Sequence, residues 1–373
     1  MSRRSRRSAV APLLALVLLA GACSKGDDDA GPPATDTTTT TAAVAGPAFP
    51  LTGLPTTDEA RRTRPALVVK IDNNEGARPP VGINKADVVY EEEIEAGFTR
   101  FAALFQSQDA DPVGPIRSAR ISDVELLANL NRPMLAWSGA NPVTASAIHA
   151  ADLVDVGFDA VTDEYQRADN RPAPSNLFST TSGLYTHAGD ARSAPALFAY
   201  QGADAATTTT ATDSSVPGTP TPTAGGRVQY RSRDIAYVWD AAKGGYDRFQ
   251  DGTPYADDTD VVVAPENVVF LYVEYLCCPS VPGTPEAQTV GEGDAAVFTA
   301  GGFIDAHWSR PTPADVWNLT DTATGAPILL TPGRTWVELA NPDTGSFVDE
   351  AEATQLLDLA AQPLDQELGT PEF

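Results

Sequence analysis

The 373-residue chain carries 50 Asp and Glu against 25 Lys and Arg, for a net charge of −25. A field that acidic repels phosphate backbones and excludes nucleic acid as a general partner. Three cysteines and three histidines are too few for a disulfide framework or a multi-histidine metal centre, so neither metal nor cofactor is expected, while the length and a hydrophobic content of 42% suggest two folded units with linkers.

The chain opens with Arg3, Arg4, Arg6 and Arg7, followed by an apolar run over 9–19 that is too short to span a membrane. The run closes in Leu19-Ala20-Gly21-Ala22-Cys23, which resembles a bacterial lipobox. The expectation is a lipoprotein signal peptide over 1–22, cleavage before Cys23 and acylation of that cysteine. Acyl chains at roughly 0.8 kcal/mol per buried CH₂ would then hold the protein to the membrane. Residues 23–50 are rich in Thr, Asp, Ala, Gly and Pro, contain nothing that forms a core, and are predicted to be a disordered tether.

A first folded unit is predicted over 51–202, an α/β domain with a mixed sheet and helices. The apolar run 66–71 forms a buried strand and delivers Asp72 and Asn73 at its end, where polar groups form either a site or an ordinary turn. Segments 88–94 and 98–105 form a hairpin around Glu95-Ala96-Gly97. Glu91, Glu93 and Glu95 share one face by the period-two rule, and a solvated face is favoured over a cation site. The stretch Gly114-Pro115-Ile116-Arg117-Ser118-Ala119-Arg120 then places two guanidinium groups just before an amphipathic run capped by Ser118 or Ser122. Arg117, Ser118 and Arg120 could form an anion cradle there, or the arginines could simply pair with carboxylates. Residues 134–137 form another strand, Asn141-Pro142 opens a helix as N-cap and first helical residue, and the polar segment 165–174 can fold over a site.

Residues 203–226 are a Thr/Pro-rich linker, and 227–342 carry short β-like runs separated by Gly, Pro and Asp turns, which implies a smaller β-rich C-terminal domain. Residues 343–373 form a tail, helical in part. Cys277 and Cys278 are adjacent, either as a vicinal disulfide or as two thiols.

These features carry a resemblance to the domain-of-unknown-function family 3048, the YerB-like bacterial lipoproteins. The motifs are Pro50-Leu51-Thr52-Gly53, Ile71-Asp72-Asn73, Ala77-Arg78-Pro79, Ala86 through Glu91, Gly97 through Phe101 and Gly114 through Arg120. Tyr246-Asp247-Arg248, Asn267-Val268-Val269, Gly302 through Trp308 and Pro332 through Glu338 extend it into the second part. The resemblance implies an exported, often lipid-anchored protein of N- and C-terminal domains, with no settled activity. It adds Arg78 and Arg100 to the candidate ligand-binding residues, which are Asp72, Asn73, Arg78, Glu91, Glu95, Arg100, Arg117, Ser118 and Arg120. The layout is also similar to that of LytR-CpsA-Psr phosphotransferases, whose Arg-Asp pairs find no clear match here.

Three functions follow as expectations. The first is a non-catalytic envelope module on the extracytoplasmic face of the cell membrane, anchored at Cys23, whose partner is a cell-wall component or envelope protein and whose ligand is anionic. The second is an enzyme acting on a phosphorylated, polyprenyl-linked envelope substrate, with the arginines clamping phosphate and Asp72, Glu91 or Glu95 as acid, base or metal ligand. The third is a solute-binding receptor. The balance of residues leans away from catalysis.

Overall fold

The apolar run after residue 66 forms the centre of the N-terminal part. In the computed structural model, which describes residues 46–202, 218–277, 283–364 and 370–373, it is strand β1 (Leu67–Asp72), buried along its whole length. The signal peptide, Cys23, nearly all of the tether, residues 203–217 of the linker and Cys278 lie outside the described residues.

A one-turn helix α1 (Glu59–Thr63) leads into β1, which pairs antiparallel with β3 (Thr99–Phe105). β3 pairs antiparallel with β2 (Val88–Glu93), as the hairpin pattern predicts. The reversal between them places Gly97 at φ +76°, where a Cβ would meet Arg231 and Ser232. On the other side of β1 lie β4 (Met134–Ala136) and β5 (Val154–Asp155), both parallel to it, linked by α3 (Pro142–Ala150). Asn141 caps α3 as expected, its side chain accepting from the Thr144 N–H. The amphipathic run after Arg120 is shorter than its periodicity implies. It makes a single turn, α2 (Ser122–Leu126), and the cap comes from neither serine: the Arg120 N–H donates to Asp123 Oδ2 at 2.7 Å, while Ser122 Oγ accepts from the Ala287 N–H. A hairpin of β6 (Tyr165–Arg167) and β7 (Leu177–Ser179) and a short helix α4 (Thr181–Tyr185) complete this part.

The C-terminal part is strand-rich. It comprises β8 (Thr221–Pro222), β9 (Gly225–Tyr230), β10 (Arg233–Asp240), β11 (Gly245–Gln250), β12 (Thr253–Pro254), β13 (Asn267–Tyr272), β14 (Tyr275–Cys277), β15 (Pro285–Ala287), β16 (Gly291–Thr299), β17 (Gly302–Arg310), β18 (Asn318–Asp321), β19 (Thr335–Ala340) and β20 (Gly345–Phe347), followed by α5 (Glu350–Ala360). Most of these strands serve two sheets, while β14 and β15 pair only with each other. A main sheet runs β18-β17-β16-β13-β19-β2-β3-β1-β4-β5, so that β19 lies parallel between β13 and β2 and joins the strands of both parts. A small sheet runs β12-β11-β10-β9-β20 and packs on one face of the main sheet.

The period-two alternation of the main strands sorts their side chains between two cores. Val68, Tyr90, Leu104, Val337 and Leu339 face the helices α2 and α3. Val69, Val89, Phe101, Phe270 and Trp336 face the small sheet, where they meet Val228, Tyr237 and Tyr246. Central strands buried on both faces tolerate the parallel β13-β19-β2 arrangement, because no edge is left in water.

The same alternation corrects the expectation of a solvated glutamate face. Glu91 and Glu93 do share a face, but the small sheet covers it, and Glu92 points to the helical side; all three are buried. Glu95 falls past the end of β2, in the turn. A carboxylate buried this way must find a cation or a proton, and each of these finds one.

Candidate functional site

The end of β1 sends Asp72 to the helical face and Asn73 to the face covered by the small sheet. Two clusters result.

Asp72 is fully buried. Directly across the ladder sits Arg100, whose Nη2 donates to Asp72 Oδ1 at 3.3 Å. Arg117 reaches the same carboxylate because residues 115–117 run beside the end of β1 where β4 has stopped. The Asp72 N–H donates to Pro115 O, and the Arg117 N–H to Lys70 O. Arg117 Nε then donates to Asp72 Oδ2 at 3.1 Å and Ser175 Oγ to the same oxygen at 3.0 Å. Ser175 comes from the β6–β7 loop, so the polar segment does close over Asp72, held down by buried Arg171 donating to Pro79 O. Burial alone would raise the Asp72 carboxyl, but Arg100, Arg117, Ser175 and the Asn74 N–H together hold it below the ordinary range.

Arg120 pairs with Glu95 at 2.6 Å, and Thr284 donates to the other Glu95 oxygen at 3.0 Å. Ser118 contributes its carbonyl, which accepts from Arg100 Nη1 at 3.4 Å. Burial, then repulsion from Arg120, lowers the Arg100 guanidinium to about 10, and its Nε has no hydrogen-bond partner. Arg78 stands apart. Half-buried, with its basicity lowered chiefly by burial, it makes no ion pair or side-chain hydrogen bond among the described residues.

Beneath this cluster Lys70 is fully buried and donates to Glu92 at 2.6 Å and Asp123 at 2.7 Å. Four cations, Lys70, Arg100, Arg117 and Arg120, therefore face four carboxylates, Asp72, Glu92, Glu95 and Asp123, around the end of β1, a locally balanced layer in a chain of net charge −25.

On the covered face Asn73 Nδ2 donates to Thr99 Oγ1 at 2.7 Å, Gln250 Oε1 at 3.0 Å and Glu91 Oε1 at 3.2 Å, and Asn73 Oδ1 accepts from the Tyr255 hydroxyl. Arg248 of β11 is fully buried, donates to Glu91 Oε2 at 2.7 Å, and lies over the rings of Tyr255, Trp336 and Phe101 at 4.1, 5.0 and 5.5 Å. Glu338 of β19 accepts from the hydroxyls of Tyr230 and Tyr237, and burial, then the Glu91 charge, raises its carboxyl well above the ordinary value. Glu91 is thus committed to Arg248 and lies on the opposite face from Asp72.

Of the sequence-derived candidates, the structure brings together Asp72, Arg100, Arg117 and, one contact further, Ser118, Arg120 and Glu95. Arg78, whose titratable neighbours are Tyr255, Arg233, Arg248 and Asp251, lies instead toward the inter-sheet cluster, to which Asn73 and Glu91 also belong. Sequence reasoning assigned no role to Lys70, Asp123, Ser175, Arg248, Gln250 or Glu338. A signal existed for two of them: Lys70 interrupts an apolar strand, and Arg248 has the inward parity of Tyr246.

Gly114 holds the turn that leads to Arg117. Its φ is +149°, and an added Cβ would lie 2.8 Å from the Phe178 ring and 3.0 Å from Leu177 O, part of β7. Gly114→Ala is expected to lower stability by about 1–3 kcal/mol, read by urea denaturation, because both strain and a backbone clash must be relieved. An unchanged midpoint would contradict this placement.

The fold is a two-part architecture built on one mixed sheet, with ionic layers buried on both of its faces. The description "Protein of unknown function (DUF3048) N-terminal domain" matches residues 51–204, and the corresponding C-terminal domain matches residues 226–337. The chain belongs to this family. YerB of Bacillus subtilis (strain 168), a protein named as a lipoprotein, is 28% identical over 308 residues, covering 79% of this chain and 86% of its own length. The crystal structure of YerB protein from Bacillus subtilis superposes with a TM-score of 0.69 at 23% identity, over 81% of this chain and 99% of that one, which shows a shared fold. No helix among the described residues is long and apolar enough to cross a membrane.

Proposed function

We propose that the protein is a lipoprotein anchored at Cys23 on the extracytoplasmic face of the cell membrane, and that the arginine cluster at the end of β1 binds an anionic group of an envelope component without turning it over. One observation carries the reading: Arg100, Arg117 and Arg120 gather around two carboxylates, Asp72 and Glu95, in a chain of strongly negative net charge, and Arg117 is 25% exposed with, among the described residues, only its Nε committed, to Asp72. The remaining guanidinium edge of Arg117 suits a carboxylate or phosphate. The lipobox and the lipoprotein relative support the anchoring. Catalysis is disfavoured by the pairing itself, since Asp72, Glu91 and Glu95 each already accept from an arginine and none stands ready as a general base.

The test is a melting-temperature titration with an isoprenyl phosphate in detergent and with a muramic-acid-containing glycan fragment. One of them is expected to raise the melting temperature of the wild type and to leave that of Arg117→Ala/Arg120→Ala unchanged. No shift with either anion would overturn the reading, and release of phosphate on incubation would replace it with the enzyme.

A further inference from the structure

A second surface carries the opposite charge. On the face of the main sheet that the small sheet covers, the cover ends at β20, and the hairpin of β16 and β17 extends beyond it. Between them lies an open groove of about 820 Å³. Its floor is aromatic. Phe347 of β20 is 58% exposed and meets Phe303 edge-on at 4.8 Å, and Tyr272 lies alongside, its ring packed onto Gly345.

Its walls are acidic. Asp294, Asp305 and Asp343 come from three different segments and all act on the Tyr272 hydroxyl, which they and burial together push upward. Glu274 and Glu292 extend the acidic lining. No lysine or arginine lines the groove. Among the described residues the only basic group paired with these acids is His307, whose ring nitrogens lie 3.8 Å from Glu292 and 4.0 Å from Asp294. Five carboxylates are thus held around exposed ring faces with no cation of the chain's own to neutralise them.

We infer that this groove is a docking site for an extended, lysine- or arginine-rich segment of a partner protein. Charge complementarity selects the occupant, because the carboxylates repel acidic chains and anionic lipid alike, while aromatic faces beside them hold a cationic side chain by cation–π attraction. The shape selects the conformation. β20 is the last strand of its sheet and lines the groove with three consecutive residues, a rim along which an extended segment can run. The site is distinct from the arginine cluster and does not depend on it.

Fluorescence anisotropy of the full-length lipoprotein in detergent, with a fluorescein-labelled peptide of alternating arginine and serine as the probe, tests the inference. Binding is expected for this peptide, and not for its glutamate counterpart. The triple variant Asp294→Asn/Asp305→Asn/Asp343→Asn is expected to weaken it about tenfold or more, and the exposed-site variant Phe347→Ser about threefold. Asp159→Asn/Asp163→Asn/Asp358→Asn removes the same charge elsewhere on the surface and should leave the affinity within about twofold of wild type. The inference is overturned by absence of binding, by equal weakening in the two triple variants, which would indicate attraction to net charge alone, or by an unchanged affinity in Phe347→Ser.

Discussion

Arg248→Met is expected to destabilise the protein by about 3–5 kcal/mol in urea denaturation at neutral pH, because it strands a buried carboxylate. Methionine keeps the packing against Tyr255, Trp336 and Phe101 but removes the cation from a site with no solvent. Glu91 then has only the Asn73 amide left for its charge, 3.2 Å away. Glu338 cannot help, because it is itself an acid and its two oxygens are engaged by Tyr230 and Tyr237. Adding Glu91→Gln to Arg248→Met is expected to recover a large part of the loss, since the cost lies in an uncompensated charge more than in a missing contact. A loss below about 1 kcal/mol would show that Glu91 is reached by water.

Lys70→Met acts on the other face of the same sheet. It strands Glu92 and Asp123, both buried, and is expected to cost about 3–5 kcal/mol at pH 7. Here pH distinguishes the mechanism. Burial raises the Glu92 carboxyl, Lys70 opposes that, and Asp123 adds to it, so the folded-state value lies above the unfolded one. The contribution of such a group is fully present below its unfolded pKa and is lost as pH rises through the folded value. Without Lys70 the folded value moves further up, so ionisation at neutral pH weighs more heavily against the fold. The deficit of Lys70→Met should therefore shrink as the pH is lowered toward 4, where Glu92 can take a proton. A deficit independent of pH would assign the loss to packing instead.

Much of this organisation was legible in the sequence, and what was missed has a common cause. Short strand-like runs of four to eight residues located β1, the β2–β3 hairpin and β4, and Asn141-Pro142 located the start of α3, because those signals are local. What no local pattern contains is the neighbour across the sheet. Alternation placed Glu91 and Glu93 on one side of β2 without showing that the small sheet, from residues more than a hundred positions downstream, covers that side. For the same reason β19 could be read as a strand while its parallel place between β13 and β2 could not. The amphipathic run after Arg120 was read too long, since Ile121, Val124 and Leu127 pack into the core from a single turn and the chain then turns again at Asn131, φ +57°. The arginine stretch itself was read as either an anion cradle or a set of ion pairs. Arg117 and Arg120 do hold carboxylates, and Arg78 lies toward the small sheet instead, a placement that no local pattern contains.

Native mass spectrometry of the detergent-solubilised lipoprotein, wild type beside Arg117→Ala/Arg120→Ala, tests the central claim most directly. The account predicts a phosphate- or carboxylate-bearing adduct on the wild type that is absent from the double variant, with both proteins folded and the adduct released unchanged. Identical spectra for the two proteins, with no anionic adduct on either, would contradict it and leave the arginines of the β1 end with a purely structural role.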